Sequence, residues 1–107
     1  MSWHVEVHQF RTMASKEHYG KPTPEGIHCD GRDYVFITIV RRHNISGGIT
    51  HLYSTDRKRI KRLELKNFSE SIFLDDTKMM HKVSLIKPVS SEKTAYCDML
   101  VIALRKK

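Results

Sequence analysis

The chain has 107 residues, and 19 Lys and Arg against 12 Asp and Glu give a formal net charge of +7. That length suits one small domain with a modest core, and 39% hydrophobic with 29% charged residues suits a folded, soluble protein rather than a disordered tail. The longest apolar stretches are about six or seven residues against the roughly 20 of a spanning helix, which excludes a helical membrane protein.

In chain order, Trp3, Val5 and Val7 alternate with His4, Glu6 and His8, the period of a strand. The apolar trio reads as its packed face, with His4 and Glu6 on a solvated edge; His8 lines a cavity if the strand bends inward. Residues 20–26 carry Pro22 and Pro24 between Gly20 and Gly26 and read as an extended loop. Residues 34–40 (Tyr-Val-Phe-Ile-Thr-Ile-Val) have the β-branched and aromatic composition of a strand buried on both faces. Residues 44–48, ending in Gly47-Gly48, read as a hairpin turn. Short strand-like pieces follow at 49–53, 62–66, 71–74, 83–87 and 96–104, separated by turns at 54–56 and 75–78 and a polar loop at 88–93. About eight short strands without a long amphipathic helix predict an all-β jelly-roll sandwich or barrel spanning residues 1–107.

The two cysteines, Cys29 and Cys97, make neither a disulfide scaffold nor a four-thiolate zinc site, and each reads as a reduced, small hydrophobe. No basic segment followed by an apolar run opens the chain, so no signal peptide is expected and the expected location is cytoplasmic. A homodimer is a further expectation, because so short a chain buries little surface by itself.

Seven histidines include two that begin a His-x-acid pattern, His4-Val5-Glu6 and His28-Cys29-Asp30, where chance gives roughly 0.8. Context favours the second. In a strand, His28 and Asp30 project to one face, between a rigid loop and the core strand at 34–40. His81, 51 residues beyond Asp30, could supply a third ligand from a later strand. Two imidazoles and one carboxylate form the facial triad of non-haem Fe(II) oxygenases, which leaves positions open for a chelating cosubstrate and O2. The bland alternative is that His28 and His81 are ordinary surface or half-buried histidines. His18, His43 and His51 have no acidic partner at useful spacing.

The basic cluster Arg57-Lys58-Arg59-Ile60-Lys61-Arg62 invites a nucleic-acid reading, but it lacks interleaved aromatics for base stacking and falls where a hairpin turn is expected. A solvated loop is the preferred account, and nucleic acid is not the expected partner.

An ordered set of segments then carries a family resemblance: Val7-His8-Gln9-Phe10-Arg11, Gly26-Ile27-His28-Cys29-Asp30-Gly31, Val35-Phe36-Ile37, Arg42-His43-Asn44-Ile45-Ser46-Gly47-Gly48, Ser71-Ile72-Phe73-Leu74-Asp75-Asp76, His81-Lys82-Val83 and Asp98-Met99-Leu100-Val101-Ile102. Together they resemble the Fe(II)/2-oxoglutarate-dependent dioxygenases, in particular the subgroup of bacterial free-amino-acid hydroxylases that includes isoleucine hydroxylase. The resemblance implies a double-stranded β-helix and His28, Asp30 and His81 as iron ligands. It implies Fe(II), 2-oxoglutarate and O2 as reaction partners and a small-molecule substrate, expected to be a free amino acid; His8, where it lines a cavity, is the candidate substrate contact.

Two departures stand out. The arginine that such enzymes place on the last strand for the distal carboxylate of 2-oxoglutarate should fall at Cys97, which cannot make a bidentate charged contact. Arg105, eight residues further at about 3.4 Å each, lies roughly 27 Å away. Arg11, Arg32, Lys82 or a residue across the barrel could serve instead. Relatives also carry a substantial N-terminal region, so the chain reads as a short version of the family. The alternatives are therefore a vestigial metal-binding jelly-roll module and a small basic nucleic-acid-binding barrel.

Overall fold

Val35, Ile37 and Ile39 alternate with Tyr34, Phe36 and Thr38, and the strand period puts the three aliphatic side chains on one buried face at 0%, 3% and 2% exposure. The computed structural model describes residues 2–107. Its strands are β1 (Trp3–Ala14), β2 (Tyr34–His43), β3 (Ile45–Gly47), β4 (Thr50–Ser54), β5 (Arg59–Leu63), β6 (Ser71–Asp75), β7 (Met79–Val83), β8 (Ile86–Pro88) and β9 (Ala95–Lys106). The described residues contain no helix, and so none long and apolar enough to cross a membrane.

Every strand pair is antiparallel. One sheet has the order β1-β9-β2-β6; β5-β4-β7 and the two-stranded β3-β8 form the other layer. The chain passes between the layers, from β2 to β3–β5, back to β6, out to β7 and β8, and back to β9. This is the connectivity of a double-stranded β-helix, as expected. Its core joins Val35, Ile37 and Ile39 of β2, Ile72 and Leu74 of β6, and Cys97 and Met99 of β9 to Leu52 of β4 and Ile86 of β8.

Four local expectations change. Residues 34–40 are buried on one face only: Tyr34, Phe36 and Thr38 stay half-exposed on the outer side, beside Phe73 at 57% exposure. Residues 44–48 do not turn a hairpin between β2 and β4. Asn44 takes a φ of 54°, and the chain leaves the first sheet so that β3 can pair with β8. The Asn44 side chain fixes this crossing by donating to the Ser90 carbonyl at 2.8 Å and accepting from the Ser90 N–H at 2.9 Å. The basic cluster is not a loop throughout, because residues from Arg59 onward form β5, a largely exposed edge strand against β4. The strand read at 83–87 is two strands. Gly20 bridges to Ile86 through reciprocal backbone bonds of 3.0 Å, which gives Ile86 a different partner from β7.

Ile86 is fully buried where the connection at Gly20, the β3 crossing and the core meet. Truncation to Ala is expected to cost about 2–5 kcal/mol, whereas Val89→Ala, at a residue 72% exposed, should cost under about 0.5 kcal/mol. Urea denaturation of the two variants checks the contrast.

Candidate metal centre

The segment joining β1 to β2 is long, and its placement is set by three anchors on the second layer. Gly20 bridges Ile86. The Thr23 hydroxyl donates to the Val83 carbonyl at 3.2 Å and accepts from the Val83 N–H at 3.1 Å. His28 pairs with His81 by an isolated antiparallel bridge, N–H to carbonyl at 3.0 and 2.8 Å. That bridge sets two histidines 53 positions apart directly opposite each other, with ring centroids 4.3 Å apart. It replaces the expected strand at 28–30: His28 alone makes the bridge, and the chain then bends through Gly31 at φ 73°.

The bend brings the Asp30 carboxylate back to His28, with Oδ1 3.3 Å from Nε2. Asp76, 4% exposed, holds the bend. Its carboxylate accepts from the Asp30 N–H at 3.0 and 3.1 Å and from the Arg32 N–H at 2.8 Å, while its own N–H donates to the Asp33 carbonyl at 3.0 Å. From the sequence, Asp76 read only as a turn residue. Its neighbour Asp75 keeps that role by accepting from Thr77.

One ligand-type atom from each of His28, Asp30 and His81 lies within 4.8 Å of the others. Imidazole and carboxylate donors suit a divalent first-row metal such as Fe(II). Two observations support the fit. His81 is 4% exposed, and its Nδ1 is buried with no hydrogen-bond partner. His28 Nδ1 lies 2.9 Å from the Gly26 carbonyl, the outer contact that fixes a ligating imidazole with its Nε2 turned inward.

Without a metal, a proton takes its place. The hydrogen bond to Asp30 raises the His28 pKa to about 9 against the opposing effect of burial, and His28 in turn holds the Asp30 carboxyl below its usual range. Burial, followed by repulsion from His28, pushes His81 down, so His81 is neutral at pH 7. Glu25, which the sequence reading did not single out, also lies 3.2 Å from His28 Nε2.

The three side chains open into a cavity of about 590 Å3. Its apolar wall is Ile37, Met99, Val101 and Val83. The face that β1 gives to this cavity is the opposite of the expected one. Register with β9 sets Glu6 against Ala103 and His8 against Val101, so Glu6 and His8 line the cavity. Val5 and Val7 point outward at 54% and 61% exposure. Polar residues are tolerated there because the cavity is open to water. Glu6 accepts from the Arg32 guanidinium at 2.6 and 2.9 Å and has His8 at 3.2 Å, contacts that hold its carboxyl below the usual range. Arg11 borders the cavity, but its guanidinium is bound bidentately by Asp98 at 2.7 and 2.8 Å and lies over the Tyr96 ring. Cys97 is buried on β9, and burial raises its thiol pKa.

Comparison with known proteins agrees with this geometry. Residues 1–103 match the family model described as 2OG-Fe dioxygenase, and the chain belongs to that family. The crystal structure of a bsmA homologue from Methylobium petroleophilum is 30% identical with a TM-score of 0.87, over 97% of this chain and 41% of that one. IDO from Bacillus thuringiensis is 23% identical with a TM-score of 0.87, over 98% of this chain and 49% of that one, and supports the jelly-roll fold. TqaL, an Fe(II)/α-ketoglutarate-dependent dioxygenase, is 22% identical with a TM-score of 0.84, over 97% and 42%. The bifunctional enzyme flvA of Aspergillus flavus is 28% identical over 94% of this chain and 14% of its own length. The chain thus spans less than half the length of each of these proteins.

Two outcomes are expected. Divalent-metal binding must expel the His28 proton, so affinity rises roughly tenfold per pH unit from about 6.5 to 9 and then levels. Calorimetric Mn(II) titrations in buffers of different ionisation enthalpy measure that proton, and a flat profile contradicts it. The release is displaced upward from the pH of about 6.5 that an isolated imidazole would set. Asp76→Ala frees the bend at Asp30 and should weaken Mn(II) binding by roughly 10- to 100-fold.

Proposed function

We propose that this chain is the oxygenase core of an Fe(II)- and 2-oxoglutarate-dependent dioxygenase that hydroxylates a small molecule, a free amino acid in the first instance. The observation that carries the proposal is the convergence of His28, Asp30 and His81 on the wall of one cavity. Bound Fe(II) with 2-oxoglutarate would supply the chemistry: O2 is consumed, one oxygen atom enters succinate as CO2 is lost, and the other enters a C–H bond of the substrate.

In this reading the chain's residues hold and orient. Neutral His81, deprotonated His28 and ionised Asp30 would hold the metal beside the cavity that all three line. Gly26 holds the His28 ring and Asp76 the Asp30 backbone, contacts that would keep both donors in place for the ion. Ile37, Met99 and Val101 exclude water from the far wall and leave an apolar surface for an aliphatic side chain. Glu6 and Arg32, which also line the cavity, neutralise each other. The ammonium and carboxylate of a free amino acid match that pair and could exchange partners with it, with His8 alongside. The resemblance to free-amino-acid hydroxylases points the same way. A cytoplasmic setting, which keeps iron ferrous and the unpaired Cys29 and Cys97 reduced, belongs to the same proposal.

A second reading, a metal-binding module that has lost turnover, has one observation in its favour: Cys97 stands where the cosubstrate's arginine is expected. Succinate formation from 2-oxoglutarate under Fe(II) and ascorbate, run against a panel of free L-amino acids, separates the two. The expected outcome is succinate production stimulated by at least one amino acid and reduced at least 100-fold in His81→Ala. Tight metal binding with succinate no higher than in His81→Ala would leave the module reading.

A further inference from the structure

2-Oxoglutarate is a dianion, and only its 2-oxo acid end can chelate a metal. Its far carboxylate must find a cation inside the barrel, because an uncompensated buried charge is costly. Cys97 faces that interior, two strand residues, about 6.8 Å, from cavity-lining Met99.

Directly opposite Cys97 on β2 stands Arg42. An irregularity in the ladder puts it there. Ile39 pairs with Met99 and Arg41 with Asp98, which leaves Val40 as an extra residue. Without that bulge, alternation would bring Arg41 against Cys97. With it, Arg41 and His43 share the outer side with Tyr96, and Arg42 turns inward.

The Arg42 guanidinium is held but not neutralised. One terminal nitrogen donates to the Gly47 carbonyl at 2.9 Å, and the other lies 3.5 Å from the Gly48 carbonyl. A Cβ at Gly48 would stand 3.0 Å from that second nitrogen, so glycine leaves the guanidinium its room. Arg11 and Arg32 are each bound to a carboxylate, whereas Arg42 has none among the described residues. A half-buried fork of donors without an anion is matched to a carboxylate.

We propose that Arg42, turned inward by the bulge at Val40, stands in for the missing β9 arginine and binds the far carboxylate of 2-oxoglutarate. The inference rests on the iron-oxygenase reading above. Anaerobic calorimetry of the Fe(II)-loaded chain tests it, using 2-oxoglutarate and 2-oxobutyrate, which shares the chelating end but lacks the second carboxylate. Wild type should prefer 2-oxoglutarate. Arg42→Met should weaken 2-oxoglutarate roughly 10- to 100-fold while 2-oxobutyrate and Fe(II) bind as before. Adding Cys97→Arg to that variant should restore the preference, a rescue that loss of the contact to Gly47 alone would not allow.

Where circular dichroism shows Arg42→Met unfolded, Arg42→Lys decides. A several-fold loss for 2-oxoglutarate alone supports the assignment, and unchanged affinities overturn it. Unchanged 2-oxoglutarate binding in folded Arg42→Met overturns the anchor and leaves the oxygenase reading standing. Failure of Fe(II)-loaded wild type to bind 2-oxoglutarate overturns both.

Discussion

The two backbone hydrogen bonds between His28 and His81 are the constraint on which the site depends. A segment of nearly twenty residues, with no regular strand of its own, crosses the open side of the barrel and is pinned there by this bridge, by Thr23 and by Gly20. Because the bridging residues are also the two imidazole donors, closing the chain over the barrel and assembling the donor set are one event. The Asp76 carboxylate extends the same logic to Asp30, since it binds the backbone on either side of the bend rather than the donor group itself. Preorganisation of the backbone here comes from hydrogen bonds made to main-chain N–H and carbonyl groups.

Electrostatics organises the cavity in two zones. Around the candidate metal centre, an imidazolium and a carboxylate balance each other in the metal-free chain, and that balance exchanges one proton for one cation. On the β1 side of the cavity, Glu6 is compensated by Arg32, with His4 and His8 alongside. Ile37, Val83, Met99 and Val101 supply the aliphatic part of the wall.

What could be read from the residues followed from which interactions are local. The β-branched run before Val40, the glycine and proline loop at 20–26 and the spacing of His28 to Asp30 are short-range signals, and they led to an all-β barrel in which His28, Asp30 and His81 lie together. The features that could not be read are set by pairing between distant segments. The polar face of β1 turns inward only because of its register with β9. Asp76 has a turn residue's sequence signature, and its work on Asp30 exists only once residues 46 positions apart meet. Arg42 looks like one cation among several until the extra residue at Val40 reverses the phase of the strand's end. Residues 59–63 are polar enough to pass for a loop, and only β4 beside them makes a strand of them.

That last strand has a consequence of its own. β5 is the free border of the three-stranded sheet, and a free border offers unpaired amides and carbonyls to any extended peptide that drifts past. Arg59, Lys61 and Arg62 surround this border with like charge, so a second β5 brought alongside would meet repulsion before it met a hydrogen bond. The cations of the basic cluster thus lie, in three dimensions, along the exposed border of a sheet.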